Sequence, residues 1–174
     1  APSYQGTIGR RLQLYTNDVN PSNWPNSQFF VEGMYTHPQD AAGCKGFNNA
    51  SYRPIGFSGS GNNGFNMNLQ STTRQMQTAI YAWKEMDQDV DVRRLSLGPC
   101  SSTGLNQSFY IGSKVCDLGD GTYQYEYALY NMDCDVSFNR FELPMGENMS
   151  NIEQRFAMYH SGEEINNDQW TQTV

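Results

Sequence analysis

The feature that most constrains this chain is an alternation of apolar and polar residues with period two, broken about every eight to twelve residues by Gly, Pro or Asn. Successive side chains of an extended strand point to opposite faces, so alternation lets a segment bury one face and wet the other. A first strand is expected where Leu12 and Leu14 alternate with Arg11 and Gln13, ahead of the turn-rich run Asn17-Asp18-Val19-Asn20-Pro21. Further strands are expected over 28–36, 52–58, 65–70, 109–117, 122–131 and 136–143, the last stopped by Pro144. In the 65–70 strand Phe65, Met67 and Leu69 share one face, and Asn66, Asn68 and Gln70 the other. The 109–117 and 122–131 segments flank Leu118-Gly119-Asp120-Gly121, whose Asp-Gly supplies the positive φ of a tight hairpin turn.

One segment departs from period two. Between about 73 and 87, Met76, Ala79, Ile80 and Trp83 recur at helical spacing behind Ser71, Thr72 and Thr73, so one short α-helix is expected there. Asp87, Asp89 and Asp91 then alternate with Val90 and Val92. They read as the solvated edge of a strand, because the Gly and Glu of an EF-hand loop are missing. The expected fold is all-β: an antiparallel two-sheet β-sandwich, jelly-roll-like, forming a single domain over residues 1–174.

Charge narrows the partners. The net charge of −7, with three lysines and eight arginines, leaves no basic surface for a run of phosphates, so nucleic acid is not an expected partner. The longest apolar-rich run, 78–83, is far shorter than a spanning helix, so no membrane insertion is expected. Only 17% of residues are charged, and polarity comes mainly from Asn, Gln, Ser and Thr, which suits an exported, loop-rich β-protein. Secretion or a cell-surface location is therefore expected.

Cys44, Cys100, Cys116 and Cys134 contain no C-x-x-C pair, which argues against a zinc ribbon or a redox motif. Their even number and wide spacing suggest two disulfides. Three pairings are open; Cys116 with Cys134 and Cys44 with Cys100 is favoured, because Cys116 and Cys134 flank one expected hairpin. Sequons at Asn49, Asn106 and Asn148 are consistent with export.

Chemistry-bearing residues are few. The histidines are His37 and His160, and Ser58-Gly59-Ser60-Gly61 reads as a turn rather than a nucleophile elbow. Asp117, Asp120 and His160 are weak metal candidates; no cofactor is expected. Glu126 lies among aromatics and could pair with Glu32, the arrangement a glycoside hydrolase or lyase would require. Tyr123, Tyr125 and Tyr127 alternate on one face of their strand and could form a stacking platform for a sugar, with Glu126 between them in sequence.

The run from Asp117 to Asp135, with its Gly-rich turn leading into Tyr125-Glu126-Tyr127-Ala128, resembles a stretch in uncharacterised secreted proteins of environmental, planctomycete-type bacteria. Asn48-Asn49-Ala50-Ser51-Tyr52-Arg53, Ala79-Ile80-Tyr81-Ala82-Trp83, Phe141-Glu142-Leu143-Pro144, Ser150-Asn151-Ile152 and Tyr159-His160-Ser161-Gly162-Glu163 follow the same order, so the likeness extends from about Arg11 to the end. The resemblance implies an exported, surface-associated protein, and a chain that is a processed or C-terminal part of a longer precursor. It brings no activity with it. Cys116 and Cys134 stand where that pattern has other residues.

These readings lead first to a non-catalytic structural subunit of an extracellular filament, sheath or surface layer, a homopolymer joined through strand edges and stapled by disulfides. The terminal Trp170-Thr171-Gln172-Thr173-Val174 is the expected assembly strand. A carbohydrate-binding module with an aromatic platform is the alternative, followed by a glycoside hydrolase or lyase.

Overall fold

The alternation resolves into strands over most of the segments where they were expected. In a computed structural model, residues 14–35, 37–43, 45–60, 64–97, 107–134, 138, 140–144, 146, 148–154 and 171 are described. Among them the chain is mostly β, with two antiparallel three-stranded sheets and a few short helices. The first sheet has the order β1-β2-β3, from β1 (Phe29–Met34), β2 (Ala50–Ser60) and β3 (Gly64–Leu69). The second has the order β4-β5-β6, from β4 (Asp91–Leu97), β5 (Gln107–Asp117) and β6 (Tyr123–Asn131). The helices are α1 (Thr16–Val19), α2 (Pro38–Ala42) and α3 (Tyr81–Met86), with a 3-10 turn at Gly46–Asn48.

The β5–β6 hairpin closes as its turn chemistry requires. Gly119 and Gly121 have φ of 77° and 87°, a region closed to most side chains. Asp117 and Asp120 accept hydrogen bonds from the Gly119 and Thr122 N–H groups at 2.9 Å each. The turn sets Asp117 opposite Tyr123, and pairing runs from there to Phe109 opposite Asn131.

Several expectations are corrected. Leu14 lies outside any strand, and the run after it forms the single turn of α1; residues 11–13 lie outside the described residues. Phe138 and residues 140–144 form no strand, so the expected 136–143 strand is absent where the chain is described. On β3, Met67 and Leu69 are exposed instead of forming a buried face. The 73–87 helix shrinks to α3. Its first half is pulled into the sheet, where Arg74 bridges Tyr52 through two backbone hydrogen bonds of 2.8 and 3.1 Å, and Met76 takes φ 59°. Pairing with a distant strand overrides local helix preference.

The chain divides into two compact units, one of Asn26–Ser58 with Asn66–Phe141, the other of Ala1–Pro25, Gly59–Phe65 and Glu142–Val174. In the second, Asn23 and the Trp24 indole both donate to the Asn17 carbonyl at 3.1 Å, tying down the stretch after α1.

The core of the first unit gathers Ala50, Tyr110 and Met132, with Phe47, Ile80, Tyr81, Val92 and Tyr130 packed around them. Tyr110 sits between Tyr81 and Tyr130, at centroid distances of 5.9 and 6.2 Å, as offset aromatic packing prefers. α3 lies against β5 at Gly112. A Cβ there would meet the Trp83 ring at 3.0 Å, so glycine lets the indole approach the sheet backbone. Phe109 is buried on the opposite face of β5 beneath Phe138, ring centroids 3.9 Å apart, and burying a side chain of that size stabilises by about 1.5–3 kcal/mol.

Candidate functional site

Strand parity divides the second sheet into two unlike faces. Tyr110, Gly112, Lys114 and Cys116 on β5 share a face with Glu126, Ala128 and Tyr130 on β6, because directly paired residues project together. Phe109, Ile111, Ser113, Val115 and Asp117 share the other with Tyr123, Tyr125, Tyr127 and Leu129. The first face turns to α3 and the core. The second turns outward at its Tyr123 end and is covered by Phe138 at Phe109.

On the inner face charged and phenolic groups are satisfied by one another. Glu32 on β1 accepts from the Tyr130 hydroxyl, and from the Ala79 N–H at 2.5 Å. Burial, followed by the Glu32 carboxylate, pushes the Tyr130 phenol far above its ordinary pKa. Burial likewise raises Tyr110. Tyr52 donates to Glu85 at 2.9 Å and is pushed up to about 12, first by burial and then by that carboxylate. Arg74 clamps the same Glu85 and holds its carboxyl below the usual range. Lys114 pairs with Asp87, lowering the acid and raising the base.

These arrangements settle where the sequence candidates lie. Glu32 is occupied by Tyr130 and Ala79, while Glu126 accepts from Gln124 at 2.8 Å and stands opposite Lys114. The structure thus places the two carboxylates among separate partners. Asp117 and Asp120 are used in the hairpin turn, and hydrogen bonds from Thr122 hold the Asp120 carboxyl below its usual range. Among the described residues no group of three His, Cys, Asp or Glu side chains is arranged to hold a metal ion. His160, Cys44, Cys100, Trp170, Gln172, Thr173 and Val174 lie outside the described residues; Thr171 is exposed and belongs to no strand.

The expected Cys116–Cys134 bridge is not formed. Both thiols are free. Cys116 pairs in register with Gln124 near the turn, whereas Cys134 donates to Gln107 at 3.1 Å, at the far end of β5. Nine residues of strand hold them about 30 Å apart, and a disulfide requires Cα atoms within about 7 Å. Flanking one hairpin is not enough, because pairing aligns Cys116 with Gln124.

The outer face brings together what the sequence had aligned. Tyr123, Tyr125 and Tyr127 are exposed at 55%, 48% and 41%, a row that becomes more covered toward Phe141, whose ring stands edge-on to Tyr127 at 5.9 Å. Val115, opposite Tyr125, is exposed beside it. Alternate residues of a strand are about 6.8 Å apart, so the row is about 14 Å long. Val115 could have been found by counting back through the turn. Phe141 gave no sequence signal, because its place is set by the chain after β6 crossing this face.

No protein-family model matches the chain, and neither a curated protein nor a solved structure matches it.

Proposed function

We propose that the chain is a non-catalytic carbohydrate-binding module of a secreted or surface protein, and that Tyr123, Tyr125 and Tyr127 are its stacking platform. The observation that carries this reading is the three half-exposed rings in line on one outward strand face. Had these tyrosines been core residues, they would have been covered as Tyr110 is. A phenol offers a flat apolar face with a polar tip, the combination that stacks on a sugar ring while its hydroxyl stays hydrated. A glycan array probed with the wild-type chain and with Tyr123, Tyr125 and Tyr127 all changed to Ser tests it. Binding by the wild type alone supports the reading; binding by neither, or equally by both, defeats it.

The jelly-roll-like two-sheet sandwich belongs to the same proposal. It is supported by the links between the sheets, where Glu32 of β1 meets Tyr130 of β6 and Ala50 of β2 packs with Tyr110 of β5. A second reading, the subunit of a filament, sheath or surface layer, is favoured by a different observation. Among the described residues β6 has β5 as its only ladder partner, so its outer edge can accept a strand from another copy. Sedimentation at rising concentration tests that reading, and a monodisperse monomer throughout rejects it.

A further inference from the structure

We infer that the ligand of the tyrosine row is an extended, uncharged polysaccharide chain lying along β6, its sugar rings stacked on the tyrosines. This rests on the carbohydrate-binding reading above and names its ligand class. Three features of the outer face support it.

The first is repetition. Tyr123, Tyr125 and Tyr127 present the same chemical group at a constant step of about 6.8 Å along a strand. Identical contacts at a fixed interval suit a ligand that repeats, and a row suits a chain better than a single terminal residue, which a concave pocket would hold.

The second is charge. The charged groups that share this face on the paired strands are Asp117, opposite Tyr123, with Asp91 and Arg93 on β4. Arg93 donates to Asp91 at 2.6 Å, so its charge is already matched. On the paired strands this leaves the Asp117 carboxylate, at the Tyr123 end of the row, where a uronate or sulfated polymer would meet like charge. A neutral chain meets none.

The third is area, which separates a glycan from a second copy of the protein. A tyrosine presents roughly 150–250 Å², so three half-exposed rings offer roughly 300 Å². A stable protein interface needs about 800 Å² from each partner. The row is bordered by the exposed Val115 of β5, closed at one end by Phe141 and open at Tyr123, and its length suits a single sugar chain.

The experiment is calorimetric titration of the full chain with gluco-, xylo-, manno- and chito-oligosaccharides of increasing length from the monosaccharide upward. Polygalacturonate and a sulfated galactan serve as charged probes, and sedimentation of the unliganded chain runs alongside. Affinity for at least one neutral series should rise with each ring until the row is spanned and then level off. Tyr125→Ala should lose about tenfold, and Tyr125→Phe, which keeps the ring, should restore most of it. Equal affinity for the monosaccharide and the longest oligomer, or a preference for the charged polymers, overturns this inference and leaves the carbohydrate reading standing. Failure to bind any sugar, with self-association abolished by Tyr125→Ala, overturns both and assigns the row to a second copy. Circular dichroism of Tyr125→Ala and Tyr125→Phe separates lost binding from lost folding.

Discussion

The hairpin of β5 and β6 uses one residue type in two opposite ways. Tyr110 and Tyr130 lie on the inner face, closed in by α3, Met132 and Glu32, and their phenols are pushed above the ordinary range by burial. Tyr123, Tyr125 and Tyr127 lie on the outer face and remain half in water. No difference in the side chains accounts for this. Strand parity, and what packs on each side, decides whether a tyrosine holds the fold together or is left available to a ligand.

The inner face should be the more sensitive to change. Tyr110→Ala removes a buried ring at the centre of the aromatic cluster and should destabilise by about 3–5 kcal/mol, read as a drop in denaturant midpoint. A loss of less than 1 kcal/mol would mean that this face is as loosely held as the outer one. Tyr130→Phe keeps the ring but takes a donor from Glu32, with an expected loss of about 1–3 kcal/mol.

Alkali should act through the inner face as well. A group whose folded pKa is raised keeps its proton in the folded chain after the unfolded chain has lost it, so stability falls as pH rises. Tyr52 shifts from 10.0 to about 12, and Tyr110 and Tyr130 shift the same way. Their contribution is complete below about pH 10 and should decline as pH rises toward about 12, tracked by urea midpoints across that window. Tyr52→Phe should flatten part of the decline. An unchanged profile would show that neither burial nor Glu85 holds the proton on Tyr52.

The smallest expected effect falls on the outer face. Tyr125→Ala should change stability by no more than about 0.5 kcal/mol while weakening sugar binding. A fall in melting temperature comparable to that of Tyr110→Ala would erase the contrast between the faces and make the outer row structural.

Much of this was legible in the residues. Alternation and Asp-Gly placed the β5–β6 hairpin to within two residues at each strand end, and spacing alone put the three tyrosines on a common face. What failed to carry over did so for identifiable reasons. The helix expected over 73–87 lost its first half because Tyr52 offered Arg74 a backbone partner that local propensity cannot anticipate. The Cys116–Cys134 pairing failed because Cys116 stands beside the turn and Cys134 beyond the end of β6, a separation that counting residues from the turn already implies. Glu32 and Glu126 are both strand carboxylates in sequence, and only the folded chain assigns one to Tyr130 and the other to the side of Gln124.

The sequence by itself determined the local geometry: which segments extend, where glycine permits the chain to reverse, and which side chains share a face. Those properties follow from steric limits within a few neighbouring residues. Which face of the hairpin would be covered was decided only by the tertiary structure, when Gly112 admitted Trp83 on one side and the chain at Phe138 and Phe141 covered only part of the other. Burial depends on partners distant in the chain, and period two marks the two faces of a strand without saying which of them meets water.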